Sequence, residues 1–135
     1  MKTVKQILAS KGHEFNYISA KAKVIDALSM MKSTNRSYVI VMDNDQFEGI
    51  MSETDYSQKV ILLGKHSNQL EIKDIMSTNL QTVNYTDTSH RCMQLMNTFK
   101  TRYLPVFDGN EFKGVITMND LLRASINDNE EQKKK

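Results

Sequence analysis

Residues Ser37–Tyr56 read SYVIVMDNDQFEGIMSETDY, and residues Arg102–Leu121 read RYLPVFDGNEFKGVITMNDL. Set 65 positions apart, the two stretches agree at Tyr38/Tyr103, Val41/Val106, Asp43/Asp108, Phe47/Phe112, Gly49/Gly114 and Asp55/Asp120. Upstream, the same offset pairs Ile18 with Val83, Leu28 with Met93 and Met31 with Met96. One structural unit is therefore written twice. The short leading segments VKQIL and IKDIM match at an offset of 68, which implies three extra residues in the first copy's loop near His13.

Each copy carries the same order of elements. Ile18 and Val83 sit in short extended segments. Apolar residues then recur at helical spacing, Val24, Ala27, Leu28 and Met31 in one copy, and Cys92, Met93 and Met96 follow Ser89 at the matching positions of the other. Two β-rich runs follow in each copy, split by the turn sequences Asp43-Asn-Asp45 or Asp108-Gly-Asn110, and read as hairpins. A final helix is expected to begin at Glu53 or Met118. The predicted fold class is α/β (α+β), with tandem β-α-β-β-α repeats packed as one pseudo-twofold module. Its bounds are residues 3–66 for the first repeat, 70–126 for the second and a solvated, disordered tail at 127–135.

Length and composition agree with such a compact module. A chain of 135 residues buries a real core but not two large ones, so the copies are expected to share one core. With 18 basic against 16 acidic residues it lacks the dense positive stripe of a nucleic-acid binder. No apolar run approaches the ~20 residues of a membrane span, and no signal-peptide core precedes the patterned sequence. A single cysteine, Cys92, gives no sign of an oxidising compartment, which leaves the cytoplasm as the expected location.

The sharpest local feature is Gly49-Ile-Met-Ser52-Glu-Thr-Asp55, echoed by Gly114-Val-Ile-Thr117-Met-Asn-Asp120. A hydroxyl residue followed three places on by an acid is a capping-box variant, which satisfies backbone N–H groups without any ligand. The same geometry presents free N–H groups and partial positive charge to an anion such as a nucleotide phosphate. An Asp one turn along can accept both hydroxyls of a ribose. The recurrence of the motif at one place in both repeats shifts the balance toward a ligand site.

The duplicated unit, the strand Leu104-Pro-Val-Phe-Asp108 and both motifs resemble the CBS (cystathionine-β-synthase type) domain family over about residues 3 to 126. The resemblance implies a regulatory pair that shares one core, leaves two clefts between its repeats and catalyses nothing. AMP foremost, or ADP, ATP or another adenosine compound, would bind there as ligand, with no cofactor required. Carried over by position, Ser52 and Asp55 would serve one cleft and Thr117 and Asp120 the other, with Ile18 and Val83 in the nucleotide-binding set. Arg102 stands where the family often places a phosphate contact; its repeat mate is Ser37. Thr54 stands where the family's Ser-Glu-Arg-Asp-Tyr run has Arg. These differences predict unequal clefts. The implied partners are a second copy of the chain, as a homodimer, and a separate regulated protein, with no membrane and no nucleic acid.

Other candidates read as structure. His90 and Cys92 are too few and too close for a four-ligand metal site. The methionines, Met31, Met93 and Met96 among them, are expected to pack in the core. Lys59, Lys65 and His66 read as a solvated helix face. One Cys, three scattered His and common hydroxyls supply no nucleophile and base pair, so no catalytic residue is expected. The rival to a nucleotide sensor is a protein-binding adaptor whose motifs only cap helices.

Overall fold

The computed structural model describes residues 2–12 and 15–134, with side chains of that range up to residue 127. The elements in chain order are α1 (Val4–Lys11), β1 (Tyr17–Ile18), α2 (Val24–Thr34), β2 (Tyr38–Asp43), β3 (Gln46–Ser52), α3 (Glu53–Tyr56), β4 (Val83–Asn84), α4 (Ser89–Phe99), β5 (Tyr103–Asp108), β6 (Glu111–Thr117) and α5 (Met118–Lys134). A π-helical turn, Ser57–Ile61, continues α3, and a 3-10 turn, Ile72–Asp74, opens the second repeat. The loop expected to hold the insertion near His13 lies outside the described residues at positions 13 and 14.

Each repeat builds a three-stranded sheet, β1-β2-β3 or β4-β5-β6, with one parallel and one antiparallel pairing. The hairpins fall where the turn residues place them. Asn44 and Asp45 both take positive φ, as the tight turn matching strand twist requires, and Gly109 does so in the second hairpin. Helices α2 and α4 begin and end at equivalent positions of the two copies.

The sequence repeats and the spatial units differ. One compact unit comprises residues 1–15 with 80–135, and the other residues 16–79. The segment leading the first copy thus docks on the second copy's body, and the segment leading the second docks on the first. The docking bonds are the same twice over: Ser89 N–H donates to Lys2 C=O at 2.9 Å, and Val24 N–H donates to Leu70 C=O at 2.9 Å. Single antiparallel bridges join Thr3 to Thr88 and Lys23 to Glu71. Val4, Ile7 and Leu8 of α1 enter one core with Leu104, Val106, Ile116 and Leu121. Ile72 and Ile75 enter the other with Val24, Val41, Met51 and Val60.

Two expectations are corrected, while each unit holds its own cluster of buried apolar residues and Tyr38, Ile40, Ile50 and Val115 are buried outside both clusters. Met93 is 38% exposed, and Leu95 takes the buried place. The face of α4 that contains Cys92 continues through Leu95 and Met96, and Met93 lies about a quarter turn away from it. The backbone of the terminal stretch is helical through Lys134, where Glu, Gln and Lys have high helix propensity.

The motif glycines take the close contact of the exchanged segments. A Cβ on Gly49 would lie 2.5 Å from the carbonyl oxygen of Ser77, and a Cβ on its mate Gly114 would meet Leu8 of α1 at 3.5 Å. Gly114 also holds φ +141°, which strains any L side chain. Gly49→Ala is therefore expected to push Ser77 off β3 and to lower stability by about 1–3 kcal/mol in urea unfolding. An unchanged midpoint would show that the segment does not sit this close.

Candidate functional site

In unit 16–79, β3 ends at Ser52, whose extended backbone makes it the N-cap of α3. Asp55 N–H donates to Ser52 Oγ at 3.2 Å, and Asp55 Oδ2 accepts from Ser52 N–H at 2.9 Å. The Ser52 hydroxyl also donates to Oδ2, at 3.1 Å. Asp55 is only 6% exposed, and a buried carboxylate needs donors on both oxygens. Its Oδ1 takes Lys59 Nζ at 2.9 Å and the Ser77 hydroxyl at 2.8 Å. Lys59 Nζ also donates to the Ile75 carbonyl at 2.8 Å. Four donors fill the roughly four acceptor positions of a carboxylate.

The other unit repeats the box with different supports. Thr117 N–H donates to Asp120 Oδ2 at 2.8 Å, and Asp120 N–H to Thr117 Oγ1 at 3.2 Å. Asp120 is 3% exposed. Lys11, at the end of α1, donates to Asp120 Oδ2 at 2.8 Å and to the Val115 carbonyl at 3.0 Å. Arg123 pairs with Asp120 Oδ1 from the largely solvent-exposed surface of α5. Asp120 thus has three donors among the described residues, one of them an exposed arginine whose pairing is weakly held.

Ser52 with Asp55, and Thr117 with Asp120, are brought together as their spacing predicts. Arg102 joins the second pair through its backbone: its carbonyl accepts from Met118 N–H, the first residue of α5, at 3.0 Å. Its side chain is exposed. The equivalent bond in the first copy runs from Glu53 N–H to Ser37 C=O at 2.9 Å. Thr54 is exposed in the first turn of α3. Val83 is buried in the core of its sheet, and Ile18 packs half-buried against the other core.

Several site residues escaped the sequence reading. Lys59 is on Asp55 rather than on a solvated face, and its spacing of four from that acid was the available signal. Arg123 follows Asp120 by three. Arg36 donates to the Tyr38 hydroxyl at 3.0 Å, which places a cation one residue before Ser37 at the start of β2. Lys11 and Ser77 carry no local signal, since the exchange of leading segments alone brings them to the carboxylates.

The CBS domain family profile matches residues 4–61 and 72–127. The chain belongs to this family and carries its domain twice. Its fold is similar to a solved protein with CBS domains from Burkholderia ambifaria, at 32% identity and TM-score 0.89, covering 94% of this chain and 96% of that one. In Arabidopsis thaliana, the mitochondrial CBS domain-containing protein CBSX3 is 26% identical, matching 96% of this chain and 68% of its own length. CBSX2, solved in complex with AMP, shares the fold at 20% identity and TM-score 0.74, covering 94% and 98% of the two chains. Among the described residues, no helix is long and apolar enough to cross a membrane.

His90 lies on the exposed face of α4 and Cys92 in the core. Burial pushes the Cys92 thiol up to about 11, which keeps it protonated and poorly nucleophilic at neutral pH. Since the folded state holds this proton more tightly than the unfolded chain, Cys92 is expected to cost stability as pH rises from about 9 toward 11. Comparison with Cys92→Ala in alkaline unfolding isolates that slope. Equal slopes for the two proteins would contradict the buried thiol.

Proposed function

We propose that the chain is a regulatory module that takes an adenine nucleotide, AMP foremost, at the motif of its second repeat. The observation that carries this reading is the pairing of Thr117 with the buried Asp120 at the start of the 17-residue helix α5, where the exposed Arg102 is tied to the helix start through its backbone carbonyl, which accepts from Met118 N–H. The helix start, the Thr117 hydroxyl and the Arg102 side chain supply donors suited to a phosphate. Asp120 has acceptor capacity for a ribose hydroxyl once Arg123 swings into solvent. The AMP complex of CBSX2 supports the choice of ligand. The first repeat is the weaker site, because Thr54 and Ser37 bring no charge and Asp55 is already saturated by its own chain.

That saturation also favours the second reading, an adaptor whose motifs serve as caps. In either case a homodimer is the proposed assembly. The repeat mates Ile61 and Ile126 are 55% and 57% exposed, a pair of apolar positions suited to contact with another copy. The proposed setting is the cytoplasm and the proposed recipient of the signal is a separate protein, with no catalytic step in the module itself.

Titration by calorimetry and thermal shift against AMP, ADP, ATP, NAD and S-adenosylmethionine tests the choice. A ligand at 100 times its Kd is expected to stabilise the fold by about 2.7 kcal/mol. Arg102→Ala is expected to weaken AMP about ten- to a hundredfold while leaving adenosine within about twofold, as loss of one charge-assisted bond requires. Equal losses for AMP and adenosine would remove Arg102 from the phosphate. No shift with any of the compounds at millimolar concentration would leave the adaptor.

A further inference from the structure

We propose that Asp55 is the catch of a latch that holds the segment Ile75–Ser77 closed on β3, and that a ligand hydroxyl arriving at this carboxylate opens it. The opening step rests on the nucleotide reading above extended to its weaker, first-repeat site; the closed latch rests on the structure alone.

Two backbone bonds bridge the segment to the strand, from Ile50 N–H to Ser77 C=O at 3.1 Å and from Ser77 N–H to Ile50 C=O at 2.8 Å. A single bridge of this kind, outside any regular strand, is weak by itself. Two side chains reinforce it, and both meet at Asp55 Oδ1. The Ser77 hydroxyl donates there directly, and Lys59 links the same oxygen to the Ile75 carbonyl. The glycine at position 49 removes the side chain that would keep the segment away.

The donors on Asp55 fall into two groups. Ser52 N–H and Oγ hold Oδ2 as part of the helix cap and cannot leave without loosening α3. Lys59, with a side chain 41% exposed, and the Ser77 hydroxyl hold Oδ1 and can leave. A ribose hydroxyl is the same kind of neutral donor as the Ser77 hydroxyl. Ser77 therefore occupies, from within the chain, the place that a ligand hydroxyl would take. Displacing it removes one of the two side-chain ties on the Ile50–Ser77 bridge and converts binding into release of the connection between the repeats.

Among the described residues, the second copy lacks the hydroxyl tie. The repeat mate of Ser77 is Ala9, which has no hydroxyl, and Asp120 is instead held by Lys11 and Arg123. The latch belongs to the first repeat alone and gives the saturated Asp55 a role distinct from that of Asp120.

Amide hydrogen exchange on the full chain tests the latch, with adenosine as the diol-bearing probe and 2′,3′-dideoxyadenosine as the control. Ser77→Ala is expected to speed exchange at positions 50 and 77 about tenfold, with Val39 and Val41 of β2 unchanged. Lys59→Ala, which keeps the cap of α3, is expected to loosen the same two amides. Adenosine is expected to speed both in the wild type, dideoxyadenosine to leave them, and Ser77→Ala to bind adenosine about five- to tenfold more tightly, as removal of one competing bond implies. Unchanged exchange in both variants overturns the latch. Adenosine at concentrations that fill two sites per chain, with unchanged exchange at position 77, also overturns it, while leaving the nucleotide reading intact. No binding of adenosine to either wild type or Ser77→Ala removes the nucleotide reading and the opening step with it.

Discussion

A carboxylate taken out of water has to be given hydrogen-bond donors, and this chain buries one in each unit. Asp55 and Asp120 each lie beneath the start of a helix, close its cap and bind a lysine that also holds a backbone carbonyl. Left unpaired, either would cost several kcal/mol, enough to consume much of the stability of a domain this size. The rest of the arrangement follows from supplying those donors. The strand must end where a Ser or Thr can cap, the next helix must start there, and a lysine must reach the same oxygen atoms.

The two units solve that requirement differently. In one, Lys59 comes from the next turn of the motif helix and Ser77 from the segment that leads the second repeat. In the other, Lys11 comes from α1 at the opposite end of the sequence. Exchange of leading segments makes both solutions available, because it lays IKDIM and VKQIL across Gly49 and Gly114. Each exchanged segment also brings two or three buried apolar residues to the cluster of the unit it joins. The difference in how the two carboxylates are held has the same origin. Asp55 is closed by a neutral hydroxyl and a lysine, whereas Asp120 has an exposed arginine partner and Arg102 nearby.

Much of this was legible before any coordinates. The repeat, the two hairpins, the starts of α2, α4 and the motif helices, and the two capping boxes all follow from local patterns a few residues long. The positions of Ser52, Asp55, Thr117 and Asp120 relative to one another follow from the same spacing. Contacts that depend on chain path were not legible. Lys11 reaches Asp120 across 109 residues, and only the exchange brings it there. Ser77 lay in a segment assigned by sequence to the second copy, so nothing pointed it toward the first copy's motif. The burial of Leu95 in place of Met93 was hidden for another reason: the repeat alignment matched Met93 to Leu28, but the face of α4 turned inward is set by Cys92 and Met96.

The dependence on buried carboxylates is tested most directly by a double-mutant cycle in urea between Lys11→Met and Asp120→Asn. The pair has side-chain exposures of 17% and 2% and a separation of 2.8 Å, so each single change should cost about 3 kcal/mol. The double mutant should cost little more than either single one, giving a coupling of about 2–3 kcal/mol. Purely additive losses, with no coupling between the two positions, would mean that Lys11 does not sustain the buried aspartate, and the account of how α1 is held in this unit would fail.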